Sequence, residues 1–134
     1  MTDALSVFGE LLRQVAQRYP DAMVDVRPAL EVTDMVVADI EWPDTGAPVV
    51  QLFGADGSAF ATAIVGRYTF DNLRTEDLPD FLASLYETRY EVTARRFPCR
   101  MVSLTISFKN DARRVVARYV PADLERWEFE ALQR

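Results

Sequence analysis

Histidine is absent from the 134-residue sequence. Its absence removes Ser–His and Cys–His activation of a nucleophile, the commonest general base, and most zinc and iron sites. Cysteine is almost absent as well. Cys99 stands alone, which excludes an internal disulfide framework and suits a reducing compartment. As a nucleophile it would need a base or a helix N-terminus, and Arg100 alone is weak support, so a packed or idle thiol is expected. Glycine is scarce, and Gly54, Gly57 and Gly66 fit neither the Walker-A nor the dinucleotide-binding spacing. No apolar run approaches the roughly 20 residues that span a bilayer. The start, MTDALSVFGELL, has no basic region ahead of an unbroken apolar core, so no signal peptide is expected. These exclusions point to a cytoplasmic chain, with 1–134 forming one domain that carries no cofactor and no metal.

What is present is charge, unevenly spread. The net charge is −6. Residues 1–60 hold ten acids against Arg13, Arg18 and Arg27, whereas residues 89–118 carry eight bases against only Glu91 and Asp111. The chain is therefore bipolar, with an acidic front and a basic hairpin. The simplest expectation is that acidic and basic strands lie side by side and pair across a sheet. Otherwise one or both patches face a partner, where charge sets specificity and association rate.

Hydrophobic spacing outlines the elements. Ala4, Phe8, Leu11, Leu12, Val15 and Tyr19 make an apolar stripe on a first helix, which Thr2 or Asp3 can cap and Pro20 ends. Met23–Val26 reads as a short strand interrupted by Pro28. Further strands are expected over Val32–Trp42, Val49–Phe53 and Ala59–Tyr68, with turns at 43–46 and 54–58. Thr75 is the expected N-cap of a helix whose stripe is Leu78, Phe81, Leu82, Leu85 and Tyr86. Residues 90–97 are ambiguous between helix end and strand. Val102, Leu104, Ile106 and Phe108 alternate with Ser103, Thr105, Ser107 and Lys109, and a turn at 109–112 leads to a second run over Arg114–Val120. Pro121 opens a last helix. The order reads α-β-β-β-β-α-β-β-α: an α+β fold with an antiparallel sheet of about six strands and helices packed on one face.

Chemistry is harder to find. Asp34, Asp39, Glu41, Asp44 and Asp56 lie on or near strand ends and could meet as a metal or glycosidase-like pair. Alternating strand carboxylates, however, ordinarily form a solvated face, and no DxDxDG order marks a calcium loop. Arg95, Arg96, Arg113 and Arg114 with Tyr119 invite a nucleic-acid reading, but the acidic overall balance and the lack of interleaved aromatics count against it. Neither terminal helix is basic, as a membrane-surface role would require. Trp127 and Phe129 sit two positions apart on the last helix, so they point in different directions. One is expected to pack on the domain, and the other either serves as an interface anchor or tucks against the sheet edge as well.

The resulting expectation is a non-enzymatic, protein-binding domain. By size, charge and the lack of catalytic equipment it is similar to bacterial toxin-neutralising immunity proteins, and its arginine-rich composition, with Lys109 the sole lysine, resembles that of high-GC bacteria. In that reading Asp34, Asp39, Glu41, Trp42 and Asp44 would face a cationic toxin domain, with Trp127 and Phe129 as anchors. The order of elements also resembles class I type III secretion chaperones, which implies a homodimer seamed along Leu78–Tyr86 and a secreted effector as partner. A third class, a small-molecule binder or enzyme, would use Phe60, Ile64, Tyr68 and Phe70 to line a pocket.

Overall fold

Two antiparallel meanders, joined by a buried helix, make up the fold. A computed structural model describes residues 4–28, 35–42, 47–55, 59–108 and 111–133. The expected cap at Thr2 or Asp3, the turn at 43–46, residues 56–58 of the turn expected at 54–58, and Lys109–Asn110 lie outside these residues, while Gly54 and Ala55 of that expected turn belong to a strand. The first helix, α1 (Ala4–Arg18), buries Leu11 and Val15 one turn apart, and the chain then turns so that Tyr19 is buried beside them.

Strands β1 (Met23–Pro28), β2 (Met35–Glu41), β3 (Val50–Ala55), β4 (Phe60–Val65) and β5 (Tyr68–Arg74) pair in sequence order. Their register stacks Val24, Ile40, Val50, Val65 and Tyr68 in one row, and Val26, Ala38, Leu52, Ala63 and Phe70 in the next. Period-2 alternation therefore turns these residues toward the helices, while Asp25, Asp39, Gln51, Ile64 and Thr69 line a row on the opposite face. Pro28 is tolerated because β1 is an edge strand.

Helix α2 (Leu78–Tyr86) follows a 3-10 turn over Thr75–Asp77. It buries Leu78, Phe81, Leu82, Ala83, Ser84 and Leu85. Phe81 meets Phe70 edge-on at 5.4 Å and Phe108 at 6.1 Å, so one ring ties the two sheets together. The second sheet consists of β6 (Tyr90–Arg95), β7 (Met101–Phe108) and β8 (Asp111–Arg118). Ser84 Oγ donates to Ser107 O at 2.7 Å, and Arg113 Nη2 donates to Asp71 O at 2.6 Å, which sets β8 alongside β5. The short α3 (Arg126–Leu132) packs on β6. One hydrophobic cluster runs through both sheets and the helices.

The fold is α+β, but the expected single sheet of about six strands is two sheets, of five and three strands. Two local features supply the strands beyond the expected six. The run 59–68 is split by a two-residue hairpin at Gly66–Arg67, where Gly66 supplies a φ of 57°. Residues 90–95 form a strand because Tyr90 and Val92 find inward neighbours opposite Ile106 and Leu104. Thr75 does not cap α2; its hydroxyl donates to Ala59 O instead.

Candidate interaction surface

The three-stranded sheet has one face against the core and one face that no helix covers among the described residues. Register decides what lies on the uncovered face. Arg95, Met101 and Arg118 form one cross-strand row, Thr93, Ser103 and Val116 the next, and Glu91, Thr105 and Arg114 the third. Hydroxyls thus occupy the centre, with the Thr93 and Ser103 oxygens 2.5 Å apart, and arginines stand at both ends. A groove of about 260 Å³ runs over this face, lined by Thr93, Arg95, Met101, Ser103, Arg114 and Val116.

At the tip of the sheet, the β6–β7 connection and the end of β8 form a wider cleft of about 570 Å³. Arg67, Arg96, Arg100, Arg118, Tyr119 and Asp123 line it. Cys99 is exposed there and makes no disulfide. Exposed apolar residues interleave with these charges: Phe97 is 84% exposed, Val120 56% and Val116 46%. Among the described residues, none of Arg95, Arg96, Arg100, Arg114 and Arg118 has a carboxylate within ion-pair distance.

Arg67 is different, because it anchors the wall of this cleft. Its guanidinium grips the Glu128 carboxylate and donates through Nη2 to Asp123 O at 2.7 Å. Glu128, only 1% exposed, also accepts from Tyr68 Oη at 2.7 Å and from the backbone of Glu125 at 3.0 Å. The hydrogen bonds to Glu128 hold the Arg67 proton more firmly than in a free arginine. Burial, and then the bond to Glu128, push the Tyr68 hydroxyl far above the ordinary tyrosine range. Sequence reading missed this assembly; the Glu125-x-x-Glu128 spacing of a capping box was its one visible signal.

The residues expected to bind a partner are scattered. Asp39 is engaged by Arg27, which also reaches Asp25 at 3.2 Å, and Glu41 is exposed at the end of β2. Asp34 and Asp44 lie outside the described residues. Trp42 is buried, donates from Nε1 to Pro48 O at 3.1 Å, and packs against Tyr19 and Tyr86. Trp127 is buried between Tyr68 and Tyr90 and donates to Glu125 Oε2 at 2.8 Å. Phe129, by contrast, is 45% exposed. Both tryptophans therefore belong to this chain's own core, while Phe129 is the one of the three that faces solvent.

The expected pairing of acidic strands with the basic hairpin does not occur among the described residues. Strands β1 and β2 lie at the far edge of the larger sheet, whereas β8 adjoins β5. The helix expected to form a dimer seam, α2, is consumed as the core of one chain. Of the residues named for a pocket, Tyr68 and Phe70 are buried in the core, while Phe60 and Ile64 turn to the other face of the sheet. No group of three His, Cys, Asp or Glu side chains able to hold a metal ion occurs among the described residues. Comparison with family models, curated proteins and solved structures finds no match.

Proposed function

We propose that this chain is a non-catalytic protein-binding domain that receives its partner on the uncovered face and tip of the three-stranded sheet. The observation that carries the reading is the set of arginines without carboxylate partners, Arg95, Arg96, Arg100, Arg114 and Arg118, interleaved with exposed Phe97, Val116 and Val120. Arginine presents a planar fork that binds carboxylates in pairs and stacks on flat groups. Arginine and aromatic side chains are enriched at protein interfaces, where buried apolar contacts supply the energy and charge supplies selectivity. The partner's contact surface is accordingly acidic, with apolar side chains between its carboxylates. A protein is favoured over a nucleic acid because Val116 and Val120 set exposed aliphatic side chains among the arginines, which bury against another protein's apolar groups and do not stack on bases.

A toxin-neutralising role that works through the acidic edge is the second reading. Its support is local: Glu41 lies opposite the exposed Met23 at the end of the sheet, which gives a carboxylate beside an apolar side chain. The Arg27 contacts to Asp25 and Asp39 weaken that edge as a binder of cations.

Photo-crosslinking in the native cell separates the two. A photoreactive amino acid at position 116, and in a separate variant at position 41, samples each surface without disturbing the core. Capture of one protein from position 116 is the expected outcome. Capture from position 41 alone would transfer the function to the acidic edge, and nucleic acid crosslinked at 116 would overturn the protein reading.

A further inference from the structure

The outer edge of the three-stranded sheet is β6, and its sequence is Tyr90-Glu91-Val92-Thr93-Ala94-Arg95. Among the described residues, the backbones of Glu91–Arg95 make no hydrogen bond beyond their ladder with β7. An open edge of this kind is a template for another strand. The other sheet's edge is blunted by Pro28, which lacks an N–H; β6 contains no proline and no lysine. A groove of about 570 Å³ runs along it, lined by Tyr90 through Ala94 and by Ala131 and Leu132 of α3.

We propose that two copies of this chain join through β6, antiparallel about a two-fold axis at Thr93. The pattern Glu91-Val92-Thr93-Ala94-Arg95 is complementary to its own reverse. With Thr93 opposite Thr93 of the second copy, Glu91 faces Arg95 of the second copy, Arg95 faces its Glu91, and Val92 faces its Ala94. Neither Glu91 nor Arg95 has an ion pair within its own chain among the described residues, so both charges await a partner.

Other registers fail on physical grounds. A slip by an odd number of residues places core-facing side chains opposite solvent-facing ones and breaks the continuity of the two faces. Centring the axis on Val92 sets Arg89 against Arg95 of the second copy, a like-charge pair. Centring it on Ala94 leaves Glu91 opposite Phe97 of the second copy and dissolves both ion pairs. The Thr93-centred register alone satisfies the charges, and it yields a continuous six-stranded sheet. Arg95 is then satisfied by Glu91 of the second copy, and the Arg114 and Arg118 faces of the two copies lie side by side, so an extended or repeated acidic partner meets a doubled surface. The dimer stands on β6 itself and does not depend on the protein-binding reading.

Sedimentation of the full chain at micromolar concentration is expected to give twice the monomer mass. Glu91→Arg or Arg95→Glu alone sets like charges across the axis and is expected to weaken self-association about tenfold. Combining the two swaps every pair and is expected to restore it, which a folding defect would not do. Thr93→Cys in a Cys99→Ser background is expected to form a disulfide-linked dimer under mild oxidation, because directly opposed strand residues lie about 4.5–5.5 Å apart, within disulfide reach. A monomer at every concentration overturns the proposal. So does a dimer that ignores both charge reversals and fails to cross-link at position 93.

Discussion

Arg67 and Glu128, 61 residues apart in the chain, meet in a two-pronged ion pair, with Nε 3.1 Å from Oε2 and Nη2 3.0 Å from Oε1. The pair locks the last helix onto the β4–β5 hairpin. Glu128→Ala takes the acceptor away from Arg67, from the buried Tyr68 hydroxyl and from the Glu125 N–H at once, so it is expected to lower stability by about 3 kcal/mol. Urea unfolding monitored by tryptophan fluorescence measures it, since Trp127 rides on the same helix. A change within experimental error would show that the pair merely decorates the surface.

Tyr68 makes stability sensitive to alkali. Below the ordinary tyrosine pKa of about 10 its hydroxyl is neutral in both folded and unfolded chains, and the full stability is present. Above that value the unfolded chain ionises while the buried, Glu128-bonded hydroxyl keeps its proton, so stability falls as pH rises. Melting temperatures taken from about pH 9 to about pH 11 are expected to decline less steeply in Tyr68→Phe than in the native chain. Parallel declines would remove Tyr68 as the cause.

Gly66 is held by two constraints at once. Its φ is 57°, and a Cβ there would stand 3.1 Å from Trp127 Cζ2. Gly66→Ala is expected to cost at least about 1 kcal/mol, because an L side chain resists that backbone and the indole must shift. Thermal denaturation reads the loss directly. Unchanged melting would mean that the hairpin reshapes without cost.

Alternation made much of the fold legible. Val102, Leu104, Ile106 and Phe108 are buried in the order their spacing predicts, and the stripe on α2 is buried from Leu78 to Leu85. The extra strand β5 was hidden because it depends on Gly66 turning the chain rather than continuing it, and the division into two sheets because it depends on which edges find partners. Periodicity places residues on a face but says nothing of neighbouring strands. The arginine surplus of residues 89–118 was visible as a count. Its gathering into cross-strand rows needed the register of β6, β7 and β8. Trp42 reads as a partner-facing residue because it stands next to Pro43 at a strand end, and Trp127 because it shares a short, acid-rich helix with Phe129. Their Nε1 groups find partners at Pro48 and Glu125, which lets them be buried.

In the proposed complex the uncovered arginine face makes the contact. With the partner captured by photo-crosslinking in hand, the decisive measurement compares its affinity for two charge-reversed variants. Both substitute solvent-facing strand positions, so the core is left intact. Arg114→Glu with Arg118→Glu is expected to weaken binding at least about a hundredfold, in line with the loss of two charged contacts. Asp39→Lys with Glu41→Lys is expected to leave affinity nearly unchanged. The opposite ranking, with binding lost in the acidic-edge variant and retained in the arginine variant, would contradict the account.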